Sequence, residues 1–274
     1  MQAMKNLRIL VTGATAGIGR VTAELLAARG AVVLVHGRDP GRVKAAVAEL
    51  VRAGGQAEGF VAELAALGQV ARLGREVAAA GGLDVLVNNA GVGFGQDRHK
   101  REISADGMEL RLAVNYLAPF VLTHELTERL LPSRAIVNLA SIGQQELDFD
   151  DLLAEQSYDG VAAYRRSKLA LIAWTFDLAA AHPKLACLAL HPGTLLDTGM
   201  VRDAGMTPQG PAQRGGENTC FVIDRALAGT TGRYFDEQRE APVLAQAYDD
   251  AARARLRELT LALVEPFLTK PTPG

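Results

Sequence analysis

Two segments, Val32-Val33-Leu34-Val35 and Val85-Leu86-Val87, are unbroken apolar runs rather than alternations of apolar and polar residues. A strand with one wet face alternates. A strand that is apolar at every position is covered on both faces, as in a parallel sheet sandwiched between helices. The rest of the chain obeys that constraint. Strands are predicted at about Leu7–Thr12, Ala31–His36, Gln56–Val61, Leu83–Asn88, Arg134–Ala140, Leu185–Leu190 and Gly232–Phe235, with helical patterns between them. Such alternation implies an α/β fold built on a doubly wound parallel sheet with helices on both faces. At 274 residues, 49% of them hydrophobic, the chain can bury one large core, so a single domain over residues 1–274 is expected. No repeat or low-complexity linker divides it; only the end of the chain, about 267–274 and above all Pro271-Thr272-Pro273-Gly274, reads as a frayed tail.

The first strand runs into Thr12-Gly13-Ala14-Thr15-Ala16-Gly17-Ile18-Gly19, and a helical stretch follows from about Ile18 to Arg29. In a strand, glycine turn and helix, backbone amides and a helix N-terminus meet a pyrophosphate. The spacing is GxxxGxG rather than GxGxxG, so the loop alone is not diagnostic. A second motif is Tyr164-Arg165-Arg166-Ser167-Lys168. A tyrosine and a lysine four apart on a helix share one face, and the ammonium can approach the phenol oxygen. Free tyrosine titrates near 10, so lowering it by about 3 units takes roughly 4 kcal/mol of preference for the phenolate. A cation at about 4 Å supplies an interaction of that size at the effective dielectric of a partly buried site. By itself a YxxxK is more often an amphipathic helix with an aromatic in the core and a charge in water.

These motifs do not stand alone. In order along the chain come the glycine loop, Asn88-Asn89-Ala90-Gly91, Asn115 in Val114-Asn115-Tyr116, Ser141 closing Ile136-Val137-Asn138-Leu139-Ala140-Ser141, then Tyr164 and Lys168, then Pro192-Gly193. Their order and types resemble the short-chain dehydrogenase/reductase family, over roughly 190 residues. The resemblance implies a Rossmann-type sheet and an NAD(P)-dependent oxidoreductase interconverting a carbonyl and an alcohol. It implies catalytic roles for Asn115, Ser141, Tyr164 and Lys168. It implies cofactor contacts from Gly13, Thr15, Gly17, Ile18, Gly19, Arg38, Asn89, Ala90, Tyr164, Lys168, Pro192, Gly193 and Leu195. On this reading Ser141 donates a hydrogen bond to the substrate oxygen and Tyr164 is the acid, or the base in reverse. Lys168 lowers the tyrosine pKa and holds the nicotinamide ribose, and Asn115 positions a water leading from Lys168 to solvent.

The exit of the second strand reads His36-Gly37-Arg38-Asp39-Pro40. An acidic residue there would accept a hydrogen bond from a ribose 2′-hydroxyl, whereas an arginine suits a 2′-phosphate. Asp followed by Pro has a structural use as a helix N-cap and first helical position, which leaves Arg38 for the phosphate. With Arg20 just beyond the glycine loop, NADP(H) is favoured over NAD(H), and His36 reads as a loop residue beside the adenosine. Glu63, in Val61-Ala62-Glu63-Leu64, stands where similar enzymes carry an aspartate for the adenine; either its longer side chain reaches the base or the backbone does so alone.

Ser141 and Tyr164 are separated by Ile142–Ala163, close to twice the usual interval, and this resembles the retinol-dehydrogenase-like and WW-domain-oxidoreductase-like branch. That branch implies mostly NADP-dependent chemistry on apolar carbonyls or alcohols. Tyr158 could be mistaken for the catalytic residue, but Ala162 rather than lysine lies four beyond it. The segment at about 194–215 is glycine- and proline-punctuated and contains Leu195, Leu196 and Met200, either a substrate lid or packing on the sheet edge. The site offers no obvious arginine clamp for a carboxylate apart from Arg202, which could equally face solvent.

Charge and composition exclude several other classes. Twenty-nine basic and 31 acidic residues leave no basic surplus for nucleic acid, and the arginines of the last quarter read as a solvated helix face. No apolar stretch approaches a membrane span and Met1–Asn6 shows no signal core, so a cytoplasmic protein is expected. Cys187 and Cys220 make neither a disulfide framework nor a zinc pattern and read as buried small apolar groups; no metal is implied. The implied partner is a small-molecule carbonyl or alcohol. Pairing into a homodimer or homotetramer through helices at about Ala105–Arg129 and Tyr158–Ala181 is left open. Two competing functions remain: a catalytically silent dinucleotide sensor, which has no need of Ser141, Tyr164 and Lys168 together, and an epimerase or dehydratase of the extended branch, which usually carries a GxxGxxG loop and a longer C-terminal domain.

Overall fold

The computed structural model describes residues 4–130 and 135–269. Among them, strands β1 (Arg8–Val11), β2 (Val32–Gly37), β3 (Gln56–Val61), β4 (Val85–Asn88), β5 (Ala135–Leu139), β6 (Ala186–His191), β7 (Arg233–Asp236) and β8 (Arg239–Glu240) make one sheet in the order β3-β2-β1-β4-β5-β6-β7-β8. Neighbours pair in parallel up to β7, and β8 folds back antiparallel on it. Helices α1 (Gly17–Ala28), α2 (Pro40–Arg52), α3 (Leu67–Ala79), α4 (Leu110–Leu112), α5 (Ala118–Leu130), α6 (Gly160–Ala181), α7 (Gly199–Asp203), α8 (Ala212–Leu227) and α9 (Asp250–Val264) surround the sheet.

The unbroken apolar strands are explained by two cores, one on each face. Leu10, Leu34, Leu86 and Ile136 pack with α3, α5 and α6, while their strand neighbours Ile9, Val33, Val85 and Val137 pack with α1, α2 and α8. Consecutive residues therefore point into different cores, and neither set can be polar. Cys187 and Cys220 are buried within these two cores, as expected. A chain of buried amides crosses the sheet: Asn88 Nδ2 donates to Asn138 Oδ1 (2.8 Å) and Asn138 Nδ2 to Thr175 Oγ1 (2.9 Å). Strand order reverses between β1 and β4, so the crevice at their C-terminal ends is where a ligand of such a sheet binds.

The seven expected strands are all present. Arg134, Met1–Ala3 and the tail at Pro271–Gly274 lie outside the described residues. The two-residue β8 escaped the reading because Arg239 and Glu240 carry no apolar pattern. The expected helix from about Ala105 begins only at Leu110; Gly107, at φ +79°, turns the chain before it, and Glu109 caps it by accepting from the Leu112 amide. The helix from about Tyr158 begins at Gly160, where Asp159 accepts from the amides of Val161 and Ala162. Among the described residues no helix is long and apolar enough to cross a membrane, and no group of side chains could hold a metal ion.

The outer side of α6 is covered by the chain's own C-terminal segment. Tyr248 stacks on Phe176 with ring centroids 5.4 Å apart, and Arg253 and Arg257 of α9 both pair with Asp177. Two of the late arginines thus dock a helix rather than merely solvating one. Tyr116 and Thr260, both fully buried, share a hydrogen bond of 2.7 Å. Thr260→Val keeps the shape of the side chain and strands the Tyr116 hydroxyl away from water. The expected loss is about 1–3 kcal/mol, read as a lower urea midpoint with unchanged slope.

Candidate active site

The end of β1 is tied to the end of β4 by one hydroxyl. Thr12 Oγ1 accepts from the amides of Asn89 (3.0 Å) and Ala90 (3.0 Å) and donates to Val87 O (3.3 Å). Asn89 Nδ2 returns a bond to Thr12 O (2.7 Å). The glycine turn rises from this knot. Gly13 (φ +67°) and Gly17 (φ +54°) have left-handed backbones that favour glycine, and a Cβ on Gly19 would run into Asn89 and Gly13. Ala16, at the N-cap of α1, supplies no side-chain cap, and no acidic residue occupies the first turn. The helix therefore presents free amides and the positive end of its dipole to the crevice, which fits the pyrophosphate of a dinucleotide. Ile18 turns away to pack on Gly215, while Thr15 packs on Gly37. Thr198, ahead of α7, lies against Gly17, 3.2 Å from where a Cβ would sit. It was not singled out in the sequence, where it is one threonine in a loop.

At the exit of β2, Asp39 caps α2 by accepting from the Arg42 amide (2.8 Å). Arg38 is exposed and has no hydrogen-bond or ion-pair partner among the described residues. Arg20 does not join it: its guanidinium is held by Glu24 (2.6 Å) and Glu49. Arg42, whose guanidinium reaches toward Thr15 O (3.5 Å), is the nearer second cation. Two other expectations change here. His36 is not in a loop; it is buried within β2, bonded to Gly13 N and to Ala62 O. Glu63 turns its carboxylate back onto the Ala65 amide (3.0 Å), capping its own loop.

Asn115 sits in a π-helical turn, Ala113–Leu117, between α4 and α5. Such an extra-residue turn re-aims side chains within a helix. Asn115 accepts from Val92 N (2.8 Å) and donates to Val92 O (3.1 Å) and Ser167 Oγ (3.0 Å). Its side chain thus clamps the strand that leaves β4. Ser167 donates in turn to Tyr164 O (2.7 Å), so the clamp reaches the catalytic helix. Gly91 passes close to this clamp: a Cβ there would stand 3.0 Å from Asn115 Oδ1 and 3.6 Å from Lys168 Nζ.

Tyr164 and Lys168 share the inward face of α6, with Nζ 5.7 Å from the phenol ring centre. The ammonium donates to Leu139 O (2.8 Å). Ser141 Oγ accepts from Gly143 N (3.0 Å) and lies near the Tyr164 hydroxyl. Burial raises the Tyr164 phenol above its usual pKa, and the Ser141 hydroxyl offsets part of that rise. Burial also lowers Lys168 to about 8. The expected lowering of the tyrosine is therefore not present in this arrangement, because the lysine leans on a backbone carbonyl instead of the phenol oxygen. Tyr234, on β7, donates to Ser141 O (3.1 Å) and fixes the serine from behind. Nothing in the sequence pattern marks Tyr234. Tyr158 is engaged with Glu109 (3.3 Å), away from Lys168, consistent with setting it aside.

One side of the phenol is apolar, while Arg165 and Gln144 stand beside Ser141. Phe94 meets the Tyr164 ring edge-on at 4.9 Å, and Met200 lies over Gly93. Pro192 is fixed by Asn218 Nδ2 on its carbonyl (2.9 Å); Gly193 has φ +132° and Leu195 φ +47°. Leu196 is buried against Gly193, Gly210 and Gly215, so it belongs to the scaffold rather than to a mobile cover. Arg202 is held by Asp197 (2.6 Å). A separate open cleft of about 880 Å³, between Leu147, Phe149, Arg166, Leu244 and Arg255, contains none of Ser141, Tyr164 or Lys168.

A sequence model of the short chain dehydrogenases matches residues 8–209. A Streptomyces sp. (strain C5) protein, provisionally described as a daunorubicin C-13 ketoreductase, is 34% identical over 93% of this chain and 92% of its own. Mouse retinol dehydrogenase 13 is 32% identical over 97% of this chain and 86% of its own. The crystal structure of a Burkholderia cenocepacia short chain dehydrogenase in complex with NADP superimposes with a TM-score of 0.68 at 28% identity, covering 86% of this chain and 97% of that one. Fold, motif order and these likenesses agree, and the chain belongs to the short-chain dehydrogenase/reductase family, in its retinol-dehydrogenase-like branch.

Proposed function

We propose that this chain reduces a largely apolar ketone or aldehyde with NADPH, or oxidises the corresponding alcohol with NADP. The observation that supports this most is the meeting of Ser141, Tyr164 and Lys168 at the sheet's switch point, beside an uncapped helix N-terminus and a glycine turn. The bound nicotinamide supplies or accepts the hydride. Ser141 donates a hydrogen bond to the substrate oxygen, and Tyr164 passes it a proton; in the reverse direction Tyr164 takes that proton as base. Lys168 would hold the ribose hydroxyls of the bound dinucleotide, and its charge on the same helix face as Tyr164 would favour the phenolate. Asn115 holds the Val92 strand and Ser167, keeping α6 in register with the β4 exit.

The preference for NADP(H) rests on Arg38, a cation without a partner among the described residues, just past the end of β2 where the adenosine ribose would lie. Structural relatives in complex with NADP support it. The apolar substrate rests on Phe94, Met200 and the exposed Ile142 beside Ser141, with the two arginines of the cover, Arg202 and Arg214, already committed to Asp197 and Glu237. Relatives named for retinol and for a daunorubicin ketone agree with it.

NADPH oxidation with a straight-chain aldehyde series tests substrate and chemistry together. Each buried methylene contributes about 0.8 kcal/mol, so kcat/KM should rise roughly fourfold per carbon until the site is full. Tyr164→Phe should abolish this turnover while leaving the dinucleotide Kd nearly unchanged. A flat series, or a tenth of wild-type activity retained in the variant, overturns the assignment. For the cofactor, Arg38→Ala should weaken NADPH binding tenfold to a hundredfold more than NADH binding, as expected from the loss of a charge-assisted bond on the order of 1.5–3 kcal/mol. Equal losses would remove Arg38 from the phosphate site.

The two directions should also separate with pH. Reduction needs the phenol protonated, and burial keeps it so through neutrality; its kcat/KM should be flat there and fall above about pH 8, where Lys168 loses its charge. Oxidation needs the phenolate, so its rate should climb with pH up to about 8, above which loss of the Lys168 charge removes the group that favours the phenolate. Parallel pH profiles of both directions check the sign.

A further inference from the structure

We propose that His36 is a positioning residue for the adenosine end of the dinucleotide, an inference that rests on the dinucleotide-binding reading above. One imidazole joins the segments that border that end of the crevice. Its Nδ1 accepts from Gly13 N (3.2 Å), in the glycine turn. Its Nε2 lies 3.1 Å from Ala62 O, at the exit of β3. Its own backbone carbonyl accepts from Ala14 N (2.9 Å). The residue therefore holds two consecutive amides of the turn, and Arg38 follows it by two positions. Next to it, Gly37 lets Thr15 approach so closely that a Cβ would stand 2.7 Å from the threonine methyl.

These partners fix the chemistry of the ring. A backbone N–H requires an acceptor at Nδ1, and a carbonyl requires a donor at Nε2, so the neutral Nε2–H tautomer is assigned by its neighbours. His36 is only 2% exposed, and its bond to Ala62 O is buried. An apolar side chain of similar size would leave Ala62 C=O unpaired away from water and would release Gly13 N–H, half-buried in the turn, from the partner that fixes its direction. The turn could recover a partner only by shifting, and its shift would move Thr15 and the amides behind it. Ordinary β2 packing needs none of this: a valine or leucine would satisfy the strand.

The test is ligand binding to the purified chain, with two probes that report on opposite ends of the crevice: adenosine 2′,5′-bisphosphate and reduced nicotinamide mononucleotide. His36→Leu should weaken the bisphosphate at least tenfold and the mononucleotide less than twofold. His36→Asn, which keeps an acceptor near Nδ1, should recover most of the bisphosphate affinity. Loss of both probes to the same degree, no loss of either, or an asparagine variant no better than leucine overturns the role. If the wild type binds neither probe nor NADPH, the dinucleotide reading itself has failed, a result distinct from wild-type and variant binding alike. Should His36→Leu not fold, ¹⁵N shifts of the wild-type imidazole decide the point. A neutral Nε2–H ring that responds to the bisphosphate is expected, and an Nδ1–H or charged ring excludes the arrangement.

Discussion

Everything near the crevice hangs on the Thr12 hydroxyl. It takes the amides of Asn89 and Ala90 and gives its proton to Val87 O, so the two strands that diverge at the switch point are closed by side-chain bonds just where their ladder ends. Because β1 ends there, the glycine turn starts at a fixed height above the sheet; because β4 ends there, Gly91 and Val92 pass within reach of Asn115. Asn115 holds Ser167, and Ser167 holds the Tyr164 carbonyl. The glycine turn and Tyr164, on separate helices, are thus referred to one point where β1 meets β4, through bonds between 2.7 and 3.3 Å.

The electrostatics of Tyr164 and Lys168 are set by their burial. Burial disfavours charge on both, raising the phenol and lowering the ammonium. With Nζ on Leu139 O, the lysine is solvated by a dipole rather than by an anion. A phenol that burial keeps protonated is a poor base, so the tyrosine shift expected from the YxxxK spacing would need a charge brought nearer its oxygen than Lys168 stands here.

The fold was legible because its signals are local or periodic: apolar runs for doubly covered strands, Asp39-Pro40 for the start of α2, glycines at left-handed positions. The positions of Asn115, Ser141, Tyr164 and Lys168 came from the resemblance, and the structure brings them to one crevice. What the sequence hid depends on distant partners. Arg20 looked available until Glu49, from another helix, claimed it. His36 looked like a loop residue because strand ends are uncertain by one or two positions, and its two bonds reach 23 and 26 residues along the chain. Tyr234 and the docking of α9 on α6 involve still longer separations, where no spacing rule applies.

The long interval between Ser141 and Tyr164 gains a physical meaning from its anchors. Leu147 N donates to Gln246 Oε1 (2.6 Å), and Gln246 Nε2 donates back to Leu147 O (3.1 Å), tying the segment to the C-terminal strap. At its other end Asp159 caps α6 and also binds Arg98 (2.8 Å), while Gly160 N donates to Arg98 O (2.7 Å). The Phe94 loop runs past the same point, too close to Gly160 for any side chain there. The first turn of α6, one turn ahead of Tyr164, is therefore shared by the insertion, by the loop that carries Phe94 against the phenol and by the helix that carries the acid. The loop that carries Phe94 and the helix that carries Tyr164 are thus anchored at one point, the N-terminal turn of α6, so a change at that turn reaches both sides of the Phe94–Tyr164 ring contact.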